Sequence, residues 1–303
     1  MPTRCVLACS LFLLGASAAQ AQGFLGADGG KLLLTAGFST VEGSGGGALT
    51  PWAFISGYGS RNSWGANAHA TGLKLHDVDL LSYGLAAGAL DRFEISVSRQ
   101  EADVTGTNLD GINLSQDIYG FKVRLFGDAV YSQDSWLPQV AVGAQFKRHG
   151  GIENAAAAGF PGLTNVEQLG AEDDEGIDYY LSATKLYLAH NLLVNATFRY
   201  TEANQFGLLG FGGDREADPA VRVEASVAYL IRRQLAIGGE YRARTANLTV
   251  DDEADAWDAF VAWTPTRTVS VVLAYANIGP LLTPVTGSDA DQDGAYLSVQ
   301  VGF

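Results

Sequence analysis

Charge is scarce in this sequence, and so are sulfur and long apolar runs. Only 17% of the 303 residues are Asp, Glu, Lys or Arg, against about 25% in an ordinary soluble domain. Nineteen basic residues face 33 acidic ones, a formal net charge of −14. Phosphate binding needs clustered Lys and Arg, so a nucleic-acid partner is disfavoured. Two cysteines cannot make a disulfide scaffold. Beyond the first residues no run reaches the ~18 apolar positions of a membrane helix. A mean hydropathy of +0.08 is too low for a helical membrane protein. Disorder is disfavoured as well, because 47% of the chain is hydrophobic. Glycine is what the chain has in excess: 37 residues, or about 12%, where about 7% is usual.

The first residues account for both cysteines. Arg4 supplies a positive start, residues 5–16 a short apolar core, and Ala19-Gln20-Ala21 a small-residue cleavage site. Together they read as a secretory signal peptide over residues 1–21. The mature chain, residues 22–303, is then cysteine-free and is expected to form one domain.

Period-2 alternation recurs along that domain. Tyr119, Phe121, Val123 and Leu125 alternate with Gly120, Lys122 and Arg124. Leu192, Val194, Ala196, Phe198 and Tyr200 oppose Asn195, Thr197, Arg199 and Thr201. Val221, Val223, Ala225, Val227 and Tyr229 oppose Arg222, Glu224 and Ser226. Leu235, Ile237 and Tyr241 oppose Glu240, Arg242 and Arg244. Val269, Val271, Leu273 and Tyr275 continue the pattern. The faces of residues 177–188 stay unassigned.

Connections alternate in length. Pro265-Thr266-Arg267, Arg232-Arg233, Ala189-His190 and Asp91-Arg92 are tight, whereas residues 278–292, 247–255, 204–219, 149–176 and 104–114 are long. Residues 127–136 break the rule with a moderate link. Short turns at one end and long loops at the other predict an all-β fold: a single closed antiparallel up-and-down transmembrane barrel. The expected count is about fourteen strands, with twelve as the alternative. The chain ends in Leu297, Val299, Val301 and Phe303 at alternate positions. This resembles the insertion signal of bacterial outer-membrane barrels, which the barrel-assembly machinery reads. Trp257 and Trp263 share one strand face and are candidate anchors at the two membrane boundaries.

Several blocks carry a wider resemblance: Gly45-Gly46-Gly47-Ala48-Leu49-Thr50-Pro51-Trp52, Gly127-Asp128-Ala129-Val130-Tyr131, Asp134-Ser135-Trp136-Leu137-Pro138-Gln139, Asp255-Ala256-Trp257-Asp258, and the stretch from Asn204 through Gln205-Phe206-Gly207-Leu208-Leu209-Gly210-Phe211 to Asp214. In these the chain resembles the domain-of-unknown-function family 3034 of Gram-negative outer-membrane proteins. The resemblance implies a barrel in the outer membrane, reached after export. It implies no activity and transfers no catalytic residue.

Catalysis finds little support in the residues themselves. His69, His76, His149 and His190 sit outside any hydrolase or zinc motif. No enzyme activity and no cofactor are expected. Asp289, Asp291 and Asp293 match the first half of a calcium loop, but position twelve is Gln300. They are a weak Ca²⁺ or lipopolysaccharide-bridging candidate. Charge on a lipid face costs about 2–4 kcal/mol at midplane, so Lys122, Arg124, Arg199, Arg222, Glu224, Glu240, Arg242 and Arg244, with Glu94, are assigned to the lumen. They form either a selectivity ladder or an ion-pair filling. Asn204, Phe206, Leu208, Leu209, Phe211 and Asp214 belong to a loop too apolar for water, expected to fold inward as a plug or pack on the rim. Expected partners are outer-membrane lipid and lipopolysaccharide, the assembly machinery, and a small solute. The leading expectation is a porin-like passive or weakly selective channel. The alternatives are a gated uptake protein for small hydrophobic solutes and a non-transport scaffold.

Overall fold

The computed structural model describes residues 31–35, 38–286 and 289–303; the expected signal peptide, residues 1–21, lies outside them. Twelve strands form among the described residues: β1 (Trp64–Lys74), β2 (Val78–Ala89), β3 (Phe93–Val104), β4 (Asn113–Phe126), β5 (Gln139–Glu153), β6 (Glu175–Tyr187), β7 (Leu192–Thr201), β8 (Ala220–Arg232), β9 (Leu235–Arg242), β10 (Ala256–Trp263), β11 (Val269–Asn277) and β12 (Asp293–Gly302). Each pairs antiparallel with its neighbour in sequence, and β12 closes on β1 from Asn67↔Gly302 to Lys74↔Ala295. Closure leaves no strand edge unpaired, the condition for a sheet to survive in hydrocarbon.

The alternation sorts the two faces. Outward residues stay exposed: Leu85 60%, Ile95 61%, Phe121 50%, Val221 61% and Leu273 56%. Inward residues are polar and buried, among them Ser82, Gln100, Gln116, Lys122, Thr197, Arg199 and Ser298. Apolar outside and polar inside is the reverse of a soluble sandwich. Trp257 and Trp263 both face outward. Leu297 does too, and the Phe303 ring packs edge-on against Trp64 with centroids 5.3 Å apart.

The connections are sorted by end, with two departures. Residues 90–92, 188–191, 233–234 and 264–268 turn tightly at one end, joined there by the longer link 127–138. Residues 105–112, 154–174, 202–219, 243–255 and 278–292 form long loops at the other end, joined by the short link 75–77.

The count is twelve strands, not fourteen. Two more would have to come from the chain ahead of β1. Residues 38–56 instead run inside the barrel as an irregular, buried inner segment. It is folded on itself by the isolated bridges Ser39↔Gly45 and Gly46↔Pro51. Gly46 is needed where the segment folds back on itself, since a Cβ there would lie 2.3 Å from the Thr50 carbonyl oxygen.

Candidate functional site

A chain inside a barrel must find partners for its backbone polar groups, because buried unpaired N–H and C=O groups are costly. Here the barrel wall supplies them. The Gln300 side chain accepts from Ser39 N (2.7 Å) and donates to Ser39 O (3.2 Å). Glu94 on β3 accepts from Gly45 N (2.9 Å) and Ser56 N (2.8 Å). Lys122 on β4 donates to Gly45 O (2.7 Å) and Phe54 O (3.0 Å) and pairs with Glu94 at 3.1 Å. Glu240 on β9 accepts from Leu49 N (2.6 Å), the Thr50 hydroxyl (2.7 Å) and the Trp52 indole N–H (3.2 Å).

Glu42, on the inner segment, is the hub of the charged layer. Its carboxylate meets Lys147 of β5, Arg242 of β9 (2.7 and 3.1 Å) and Arg199 of β7 (3.4 Å). Asp178 of β6 pairs with Lys147 (2.7 Å) and Arg199 (3.1 Å). Glu224 of β8 pairs with Arg199 (2.5 Å) and Arg242 (3.4 Å). Three cations thus meet three carboxylates, with every side chain at most 4% exposed. Balance of this kind suits a buried network, since an unpaired charge there would be very costly.

The expected charge ladder is therefore distributed as follows. Lys122, Arg199, Glu224, Glu240 and Arg242 do face the lumen and are buried. Arg222 lies inward at half burial, opposite Arg199 in register. Arg124 sits at the short-turn end, bonding Gly127 O and pairing with Asp91 and Asp128. Arg244 is not on a strand, because β9 stops at Arg242. Sequence neighbours do not pair with each other: Glu224 takes Arg199 and Arg242 rather than Arg222, and Glu240 holds the inner segment rather than Arg242. Sequence reasoning missed Glu42, Lys147 and Asp178. The available signal was that Glu42 is the one charged residue between Phe38 and Arg61.

At the loop end, Asn204, Phe206, Leu208, Leu209 and Phe211 are all buried, while Asp214 is exposed and accepts from Thr249 N at 2.8 Å. The Phe206 ring lies under the guanidinium groups of Arg242 (4.5 Å) and Arg244 (5.0 Å). Its carbonyl oxygen accepts from Lys147 Nζ at 2.9 Å. Gln205 and Phe206 both have left-handed backbone, φ +45° and +63°, a costly state for consecutive non-glycine residues.

A polar clasp holds that turn down. Glu253 accepts from Gln205 N (3.0 and 3.1 Å) and pairs with Arg244 at 3.1 Å. The Gln205 side chain donates to Asp251 (2.8 Å) and accepts from Arg244 (2.8 Å). Asp251 also accepts from Leu282 N (2.6 Å). The clasp ties three long loops across the mouth. Burial pushes the Glu253 carboxyl up to about 7, outweighing the pull of Arg244, and burial raises Asp251 too.

Between these layers the lumen is nearly filled. Small voids remain there, among them one of about 40 Å³ near the loop end and one of about 20 Å³ near the turn end. A recess of about 610 Å³ lies at the short-turn end, below the inner segment.

Other candidates do not assemble. Asp293 bonds the Tyr275 hydroxyl and Asp291 accepts from Asn277 at 3.0 Å, and the weak Ca²⁺ candidate Asp289, Asp291 and Asp293 is not gathered into one cluster. Among the described residues no group of three His, Cys, Asp or Glu side chains is placed to hold a metal ion. His69 lies 3.4 Å from the Ser82 hydroxyl, but that hydroxyl donates to Val41 O and both residues are buried behind the inner segment.

The sequence matches the family model described as a protein of unknown function, DUF3034, over residues 35–300. The chain belongs to that family. A search of curated proteins finds no match. Solved structures resembling this DUF3034 barrel include the KdgM porin (10% identical, 78% of this chain and 99% of that one, TM-score 0.46). Others are the NanC porin (10%, 78% and 98%, 0.47) and the Acinetobacter baumannii outer membrane protein Omp33 (9%, 79% and 97%, 0.39). At this level of likeness they carry no argument about what this chain does.

Proposed function

We propose that this DUF3034 chain is a non-enzymatic outer-membrane channel of porin-like architecture, exported by its signal peptide and closed at rest by its own inner segment. The observation that carries this reading is the way residues 38–56 are held. They are not buried in an independent core. They hang from wall side chains, chiefly Glu94, Lys122, Glu240 and Gln300. Polar contacts of this kind can exchange for water. Displacement would also take Glu42 from its three cations and uncover Phe38, Val41, Leu49 and Trp52, so the closed state is the stable one. It would leave a passage with polar wall side chains. The apolar outer belt supports a membrane location, since that much exposed hydrophobic surface needs hydrocarbon. The inner segment makes the channel gated rather than passively open.

A covalent lock tests it. The Asn67 side chain of β1 donates to the Ser39 hydroxyl at 2.9 Å, so Ser39→Cys with Asn67→Cys should tie the segment to the wall. In planar bilayers the intact chain should give intermittent openings. The oxidised double variant should be silent, and reductant should restore the openings. A chain silent across voltage and pH, with or without the lock, would defeat the channel reading. The second reading, a membrane scaffold, would then stand; it is favoured by the balanced, filled middle of the barrel.

A further inference from the structure

The loop-end void is lined in a way that a polar pore does not explain. The inner wall of a water-filled barrel is polar. Here one level of the wall reads Leu73, Leu80, Ala102, Leu114 and Ile152 across five adjacent strands, each opposite the next in register. Val78 and Val104 pair just above it. One row nearer the turn end the same strands carry Thr71, Ser82, Gln100 and Gln116. The switch from polar to apolar is abrupt along the loop half of β1–β5. A second apolar stretch, Leu186, Leu193, Ala228, Ala236, Ala262 and Val272, lines the turn end of β6–β11, where the inner segment packs against it. The opposite wall carries Asp178, Arg199 and Arg242.

Val41 and Leu49 of the inner segment form the floor, and Phe206, Leu208, Leu209 and Leu281 the roof. They leave about 40 Å³ unfilled between apolar walls. Protein interiors normally close such voids, and water gains nothing in one that offers it few hydrogen-bonding partners. The roof is also the strained turn at Gln205 and Phe206, held by Glu253 and Asp251. Release of that turn would withdraw the Phe206 ring and enlarge the compartment by about the volume of one aromatic ring.

We propose that this compartment is the entry site for a small apolar solute, of about single-ring size, admitted when the Phe206 turn lifts. The proposal rests on the channel reading and names its solute class. The solute would be held by dispersion and by loss of apolar surface to water.

The probe is 4-fluorotoluene, titrated into the full chain in lipid nanodiscs and followed by fluorine NMR, with empty nanodiscs as background. A saturable bound component is expected. Leu80→Phe and Ala102→Leu add volume inside the compartment and should each weaken that component about tenfold or more. Phe206→Ala, on the roof rather than the wall, should speed exchange by a similar factor. The component's absence, its survival in both filled variants, or unchanged exchange in Phe206→Ala would each overturn the proposal. Heat-modifiable gel mobility checks that each variant is folded; if the wall variants fail it, the roof variant decides. Openings in the planar bilayer without saturable binding would sink the solute class alone.

Discussion

The clasp at the barrel mouth should make opening depend on pH, with a sign opposite to that of an ordinary ion pair. Glu253 is 2% exposed and its carboxyl is held up to about 7, burial being the dominant cause. In a lifted turn it would face water and return to its ordinary 4.5. The closed arrangement therefore binds the proton more tightly than the open one. Its advantage is complete below pH 4.5, is lost progressively as pH rises toward 7, and is fully lost above that. Applying the two values to a single titrating group gives an opening equilibrium larger at pH 8 than at pH 5 by roughly one to two orders of magnitude, on the order of 2 kcal/mol. Asp251, raised in the same direction, adds to it.

The assay is open probability in planar bilayers from pH 5 to pH 8 at fixed voltage and salt. Opening should increase with pH. Glu253→Gln keeps the shape of the side chain and removes its titration, so most of the dependence should disappear in that variant. A flat profile, or one that falls with rising pH, would refute the reasoning. So would an unchanged slope in Glu253→Gln.

Three further outcomes are expected. Glu42→Ala strips three cations of their shared carboxylate, and removal of one partner from a buried pair costs about 3–5 kcal/mol; the thermal midpoint should fall and open probability rise, and a variant as stable and as closed as the parent would count against the hub. Gly46→Ala places a Cβ 2.3 Å from Thr50 O, so the inner segment should loosen at a cost of about 1–3 kcal/mol, read as increased proteolysis of residues 38–56. Ile95→Lys puts charge on the outer belt, where Ile95 is 61% exposed; reversible folding into bilayers should weaken by about 2–4 kcal/mol if the site lies near midplane, and an unchanged folding free energy would contradict a lipid-facing surface.

The barrel was legible because its determinants are local. Alternation such as Tyr119, Phe121, Val123 against Lys122, Arg124 needs only neighbouring residues to be read, and it assigned strand faces correctly for β4, β7, β8 and β9. Connection lengths gave the antiparallel order in the same way. Twelve strands, the alternative count, form among the described residues; the preference for fourteen erred where local rules stop applying. Alternation marks a residue's face only when the chain is a strand, and residues 38–56 are not one. Arg244 failed for a related reason: alternation carried it past the end of β9, and the chain there turns over the mouth.

The inner segment was illegible because its partners lie far away in sequence. Ser39 bonds Gln300, 261 residues on, and Glu42 meets Arg242, 200 residues on. No period within the segment encodes either contact. What the sequence does carry is a mismatch between two parts of itself. Charged residues on the inward faces must be neutralised within the lumen, and the strand faces read from alternation offered Lys122, Arg124, Arg199, Arg222, Arg242 and Arg244 against Glu94, Glu224 and Glu240. That surplus of cations required acid from elsewhere. Asp178 on the unassigned face of β6 supplies part of it, and Glu42 on an otherwise uncharged stretch ahead of β1 supplies the rest of the central layer. A charge imbalance on the inward faces of a barrel is thus itself a signal that something acidic occupies the lumen, and the lone carboxylate in a glycine-rich, uncharged stretch is where to look for it.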